Sequence, residues 1–335
     1  MPTTVRALHE SEFDEHAELV YVSYTHGREV PAGSMLTHRD WWLRGIERDP
    51  YYVPEQTRVM EVDGALVASV TCYHRPSYVM GREVRAACIG SVCTHPDHRR
   101  RGYVREVLAE AVEWMTAEGC EWSFLYGLSE VYGGSGWLNL ATWDCTTELR
   151  LRDDLGGELT DRAAEPDADA ALLADLHARF NRGLTGPTVR SERYWRSRML
   201  GAKVTGEPPA FRIVESDRGP VGYYHLEGEA VREIAWADRA EQVLAHVMRR
   251  AGGERVSFDF CTMELLALLR DISAIPEQKQ CREGEPGGVT LTEAYRGLWR
   301  LHGGAFCEEH GIEDTQGLLQ LLREHDYVMW PGDRA

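Results

Sequence analysis

Three consecutive arginines, Arg99, Arg100 and Arg101, stand immediately before Gly102 in the stretch THPDHRRRGYVREVL, Thr94 to Leu108. Upstream, REVRAACIGSVCTH is continuous enough in small and apolar residues to be a buried strand. Downstream, Val104, Val107, Leu108, Ala111, Val112 and Met115 recur at helical spacing, and Gly119 can end the helix. The order is therefore strand, tight polar loop, helix, with the cations at the wrong helix end. A helix N-terminus disfavours cations by roughly 0.3–1 kcal/mol each. The same end binds anions, above all where a glycine lets a ligand approach the backbone. A phosphate-bearing ligand turns the arginine triplet from a liability into a clamp.

The first half alternates strands and helices around that unit. TVRALH reads as an opening strand, SEFDEHAELVYVSY as a helix with Ser11 as N-cap, and RDWWLRGIERD as a second helix. TRVMEVDGALVASVTCY holds two β-prone runs joined at Asp63-Gly64, a hairpin signal. EWSFLY and ATWDCTTELRL supply further strands. An acidic, turn-rich boundary follows at Asp153–Asp167. The second half then repeats the order of helices, hairpin, strand, helix and strand, with a hairpin turn at Asp217, Arg218 and Gly219. The expected fold is α/β with a mixed sheet. Residues 1–152 form a first domain, 153–275 a second on the same plan, and 276–335 a C-terminal extension packed on the second domain.

Composition narrows the partners. The chain of 335 residues has 43% hydrophobic and 27% charged residues, as in a globular protein. A net charge of −17 argues against nucleic acid and admits a cationic ligand, although acidity also serves solubility alone. No run of eighteen apolar residues exists, so no membrane span is expected. Eight cysteines without a C-x-x-C pair fit free, mostly buried thiols, and the expected location is cytoplasmic. His95 and His98 have H-x-x-H spacing but no third ligand nearby, so no metal is expected.

Arg99 to Val104 resembles the R/Q-x-x-G-x-G/A signature of the GCN5-related N-acetyltransferase (GNAT) superfamily, with Val104 where glycine or alanine is usual. The form HRRRG, the block SEVYGGSGW and the segment RSERYW, Arg190 to Trp195, resemble tandem acetyltransferases of the enhanced-intracellular-survival type. This resemblance spans about residues 5 to 275. It implies acetyl-coenzyme A as acyl donor, held by Arg99, Arg100, Arg101, Gly102, Tyr103, Val104, Arg105 and Ser129. Backbone groups of Val92, Cys93 and Thr94 would meet the pantetheine and thioester. Tyr132 matches the family's general acid, whose hydroxyl keeps its proton at neutral pH. The implied reaction is direct acetyl transfer to a primary amine of a cationic small molecule, aminoglycoside-like or a polyamine, by a homo-oligomeric enzyme. The alternatives are a tandem enzyme dedicated to one metabolite, such as a thiol-cofactor precursor, or a non-catalytic acyl-coenzyme A-binding module.

Trp41, Trp42 and Glu130 are candidate acceptor-pocket residues, and the two tryptophans read equally well as core and rim of the second helix. The base is water, Glu130, or the terminal carboxylate of Ala335, and the sequence does not choose among them. Cys93 near the thioester is not read as a nucleophile, because no histidine is placed by motif to activate it. The second half has neither the arginine–glycine spacing nor a glycine where DRAEQVLAHVM begins. It is expected to be a degenerate copy, leaving one active site per chain.

Overall fold

The computed structural model describes residues 3–155, 159–203, 205–206, 209–252, 255–274, 280–281 and 288–333. The first half starts with β1 (Thr3–Ala7), helices α1 (Phe13–Thr25) and α2 (Trp41–Glu47), and the hairpin β2 (Thr57–Val62) and β3 (Ala65–His74). Asp63 and Gly64 both have positive φ, 51° and 86°, as a two-residue turn between twisted strands requires. A small hairpin, β4 (Ser77–Val79) and β5 (Arg82–Val84), precedes β6 (Ala86–Thr94), helix α3 (Tyr103–Ala117), β7 (Trp122–Leu125), the short α4 (Ser129–Tyr132) and β8 (Leu138–Glu148).

The second half contains β9 (Thr160–Ala163), α5 (Pro166–Asn181), α6 (Glu192–Tyr194), β10 (Phe211–Ser216), β11 (Gly219–Glu227), β12 (Ala230–Trp236), α7 (Ala240–Arg250), β13 (Arg255–Phe258) and α8 (Met263–Ile272). The chain continues through β14 (Gln280–Cys281), β15 (Gly288–Leu301), α9 (Ala305–Glu309) and α10 (Thr315–Glu324). Among the described residues no helix is long and apolar enough to cross a membrane.

All strands but β4 and β5 join one mixed sheet, in the order β1-β2-β3-β6-β7-β15-β8-β13-β12-β11-β10-β9, with β14 beside β15. The two halves carry the same series, β1-β2-β3-β6-β7 and β9-β10-β11-β12-β13. In each, neighbours run antiparallel until a last parallel pair, β6 with β7 and β12 with β13.

Two expectations change. The acidic, turn-rich boundary also contains the edge strand β9, paired with β10. The C-terminal extension does more than pack on the second half. Its long strand β15 lies between β7 and β8, antiparallel to both, while β8 passes on to pair with β13. Residues 1–152 therefore leave a gap in their own sheet that residues from beyond 275 fill.

Side chains explain why the extension belongs there. Trp299 of β15 is fully buried and stacks on Phe124 of β7 at 4.9 Å and 21°. Phe306, Leu318, Leu319 and Leu322 of α9 and α10 join the same cluster as Val84, Cys88 and Trp122. Glu121, just before β7, accepts the N–H groups of Phe306 at 3.1 Å and Cys307 at 3.2 Å, so a first-half carboxylate caps α9.

The second half holds a buried ionic network. Arg190 donates to Glu233 at 2.6 and 3.1 Å and to Asp333 at 2.8 Å, with Tyr223 donating to Glu233 at 2.8 Å. All three charged side chains are almost completely enclosed. Removing one partner strands an enclosed charge, so Arg190→Ala is expected to lower unfolding free energy by about 3–5 kcal/mol, read by urea titration.

Candidate active site

β6 pairs with β7 for only four residues, from Ala86 opposite Trp122 to Ile89 opposite Leu125. Beyond that β7 ends while β6 runs on through Gly90–Thr94, so the sheet opens into a wedge. On its other side β6 stays with β3, but the register slips between Ser69 opposite Cys93 and Thr71 opposite Gly90. The extra residue is a bulge, and Ser91 sits there at φ 49°. A bulge bends its strand and re-aims its backbone groups. Ser69 Oγ lies 3.2 Å from Ser91 O, and Tyr73 bonds Ser91 Oγ at 3.1 Å, so the distortion is held from behind. β6 thus presents main-chain groups of Gly90–Thr94 along an edge that no strand covers.

The polar loop follows directly. His95 caps the short turn Pro96–His98, its Nδ1 accepting the Asp97 N–H at 3.3 Å. Arg100 has φ 64° and Gly102 φ 87°, both left-handed, with Arg101 between them on the ordinary side. This alternation turns successive N–H groups to one side, as in an anion-binding nest. Gly102 is the N-cap of α3 and supplies no side chain, so the first N–H groups of that helix have no side-chain acceptor. A Cβ at Gly102 would meet nothing within 4 Å, but its backbone conformation favours glycine.

The three arginines separate in role. Arg99 turns inward, donating to Ser23 O at 2.9 Å and Thr94 O at 3.4 Å, and so ties the end of α1 to the end of β6. Arg101 reaches Asp97 O at 3.3 Å. Arg100 is exposed with no partner among the described residues. Tyr103 and Val104 lie half-buried on the first turn of α3, and Arg105 is exposed.

Tyr132 projects from α4, which follows the end of β7. It is half-buried and packs on the α3-side core. Its ring lies over Gly127: a Cβ there would come within 2.5 Å of the tyrosine Cε2. Burial holds the Tyr132 hydroxyl above its ordinary pKa. Tyr24, from the last turn of α1, donates to the exposed-edge carbonyl of Val92 at 3.3 Å. Burial raises the Tyr24 hydroxyl, and Cys93 and Tyr132 raise it further. Sequence reasoning missed Tyr24. It sits in an ordinary amphipathic helix, and only the folded chain brings it to β6.

Residues 4–138 match the family described as acetyltransferase (GNAT) domain. The first half carries a GNAT acetyltransferase domain. The protein is an acyltransferase, and the acyl donor of the GNAT family is acetyl-coenzyme A. No curated protein is detectably similar in sequence. Solved structures share the fold well beyond this GNAT domain. A probable N-acyltransferase from Enterococcus faecalis is 15% identical with a TM-score of 0.66, covering 90% of this chain and 73% of its own. A GCN5-related N-acetyltransferase from Anabaena variabilis is 12% identical with a TM-score of 0.63, covering 92% and 74%. Eis1 from Mycobacterium abscessus is 13% identical with a TM-score of 0.62, covering 90% and 74%.

The remaining sequence candidates divide. Trp41 stays at the rim of the GNAT domain, half-buried and edge-on to Tyr24 at 6.0 Å. Trp42 does not line a pocket. It is 1% exposed in the core between α1 and α2, with Phe13, His16 and Tyr52 around its ring. Ser129 and Glu130 are exposed on α4. Cys93 is buried, and burial pushes its thiol up, away from the nucleophilic thiolate. Ala335 lies outside the described residues.

In the second half the corresponding helix start is built differently. β12 also leaves β13 after two pairs, Ala230–Ser257 and Val231–Phe258. At the following helix, however, the N-cap is Arg239, at φ 55°, whose guanidinium bonds Asp217 at 3.0 Å. The Asp238 carboxylate accepts the Arg239 N–H at 2.8 Å, placing a negative side chain at that helix start. Val328 and Trp330 from the C-terminal segment pack into the core beside Trp236 and Phe260.

Proposed function

We propose that this enzyme transfers the acetyl group of acetyl-coenzyme A directly to a primary amine of a cationic small molecule, as a tandem acetyltransferase of the enhanced-intracellular-survival type. One observation carries the reading: β7 leaves β6 after Ile89, and the uncovered edge from Gly90 runs on into the left-handed turns at Arg100 and Gly102. A ligand with a thioester at one end and a diphosphate at the other fits that span. The donor supplies the thioester carbonyl and the leaving thiolate. Main-chain groups of Val92, Cys93 and Thr94 orient the acyl end, and the amides from Gly102 to Val104, with Arg100, Arg101 and Arg105, hold the diphosphate. Ser129, exposed on α4, is assigned to the donor as well. Tyr132 Oη keeps the proton that the departing sulfur requires.

In this reading 1–152 and 153–275 are the two domains, with β15 shared into the first. The cationic character of the acceptor is supported by the net charge of −17. The deciding assay incubates protein and acetyl-coenzyme A with a panel of primary amines and reads the mass gain of one acetyl group. Acetylation of several polyamines or amino sugars supports the reading; absence of product across all amine classes overturns it.

The loop makes a separate prediction. Each charge-assisted hydrogen bond contributes about 1.5–3 kcal/mol. Arg100→Glu with Arg101→Glu is therefore expected to raise the Kd for coenzyme A by about 10-fold to 100-fold or more, measured by calorimetry. An unchanged Kd removes the diphosphate from this loop.

A further inference from the structure

The segment Gly127–Trp137, which carries Tyr132, is touched at both ends by side chains of β15. At its start, the Tyr295 hydroxyl donates to Gly127 O at 3.1 Å, and the Tyr295 ring meets Tyr126 edge-on at 6.4 Å and 85°. At its end, Arg300 donates to Ser135 O and lies over the Trp137 indole, 5.3 Å from its centre. Gly136 has φ 88° and passes so close that a Cβ would collide with the Arg300 guanidinium. Only glycine satisfies both demands.

The register of β15 shows how one strand reaches both places. Tyr295 and Arg300 are five positions apart, so in a regular strand they would face opposite ways. The pairing with β8 slips between Tyr295, opposite Ala141, and Leu298, opposite Asn139. The inserted residue restores both side chains to one face, the face of α3 and Tyr132, where Arg300 stands opposite Ser123. Gly297 makes the bulge at φ 97°, with its Cα against Leu125 O, where a Cβ would come within 2.5 Å.

Arg300 is also an odd cation. No carboxylate among the described residues pairs with it, and burial lowers its pKa. Half-burying a guanidinium without a counter-charge is costly, and the Ser135 carbonyl and the Trp137 indole offset part of that cost. Its neighbour His302 is held down at about 4 by burial, then by Arg300, and shares Ser123 Oγ, at 2.9 Å, with Trp137 Nε1.

We propose that Tyr295 and Arg300 are positioning residues for acetyl transfer: contributed by the C-terminal strand, they pin both ends of the segment that aims Tyr132 at the wedge. The inference rests on the role of Tyr132 given above. Neither residue touches the reacting atoms in this assignment. Each acts through the tyrosine.

The test is a double-mutant cycle read as kcat and KM for acetyl-coenzyme A. Arg300→Met is expected to lower kcat by about 10-fold to 100-fold, the scale of a small misplacement, with KM within about twofold. Arg300→Lys regains part of that loss. In a Tyr132→Phe background, Arg300→Met lowers kcat by less than about twofold, because the group it positions is gone. Tyr295→Phe removes only a hydroxyl and repeats the pattern more mildly, so the test survives if Arg300→Met does not fold. Full additivity with Tyr132→Phe, or an unchanged kcat in both single variants, overturns the proposal. Full turnover in Tyr132→Phe alone overturns the acid assignment, and the positioning proposal falls with it.

Discussion

Tyr132→Phe is expected to lower kcat by about 10²–10⁴-fold and to leave the KM for acetyl-coenzyme A nearly unchanged, the signature of a lost proton donor. The substitution removes one oxygen and keeps the ring that packs over Gly127, so the segment retains its shape. The pH profile makes the prediction sharper. Burial alone raises the Tyr132 hydroxyl above 10.0. A donor works while protonated and fails as pH rises through its pKa, so its alkaline limb lies above pH 10. Any loss of kcat on the alkaline side below that pH belongs to another group. Steady-state kinetics from pH 6 to 10.5, with a mild amine acceptor, separate the two. Wild-type turnover by the phenylalanine variant excludes Tyr132 as the donor.

The parts of this site that were legible in sequence are those fixed by local backbone chemistry. An arginine-rich loop before a glycine, between an apolar strand and a periodic helix, has few structural solutions, and Gly102 does adopt the left-handed N-cap. Asp63-Gly64 is a second case, a two-residue turn written in its own residues. What escaped was long-range. Tyr24 meets Val92 across 68 positions of chain, and nothing in LVYVSY marks that helix face as different. For Trp41 and Trp42 the sequence leaves a pocket and a core-and-rim pair equally open; one step along a helix turns a side chain by about 100°, here from rim to core. β15 escaped for a related reason. TLTEAYRGLWRL has an exposed first half and a buried second half, and its period breaks at the Gly297 bulge, so no single alternation announces a strand. Its strand partners, β7 and β8, lie 140 or more positions earlier.

That strand yields the second large expectation. Trp299→Ala removes a fully enclosed indole that stacks on Phe124, meets Tyr327 edge-on at 5.4 Å, and donates to Arg296 O at 3.2 Å. Truncating such a residue costs about 3–5 kcal/mol, a large part of the roughly 5–15 kcal/mol that keeps a domain folded. The informative question is where the loss appears. An appendage on the second half would fray alone and leave coenzyme binding intact. A strand hydrogen-bonded to both β7 and β8 cannot leave without opening the sheet through the acetyl-transfer domain. Urea unfolding followed in parallel by far-ultraviolet dichroism and by coenzyme A binding is therefore expected to shift to lower urea in both signals together. A variant that loses helix and strand signal while its coenzyme affinity persists would show instead that the first 152 residues close their own sheet.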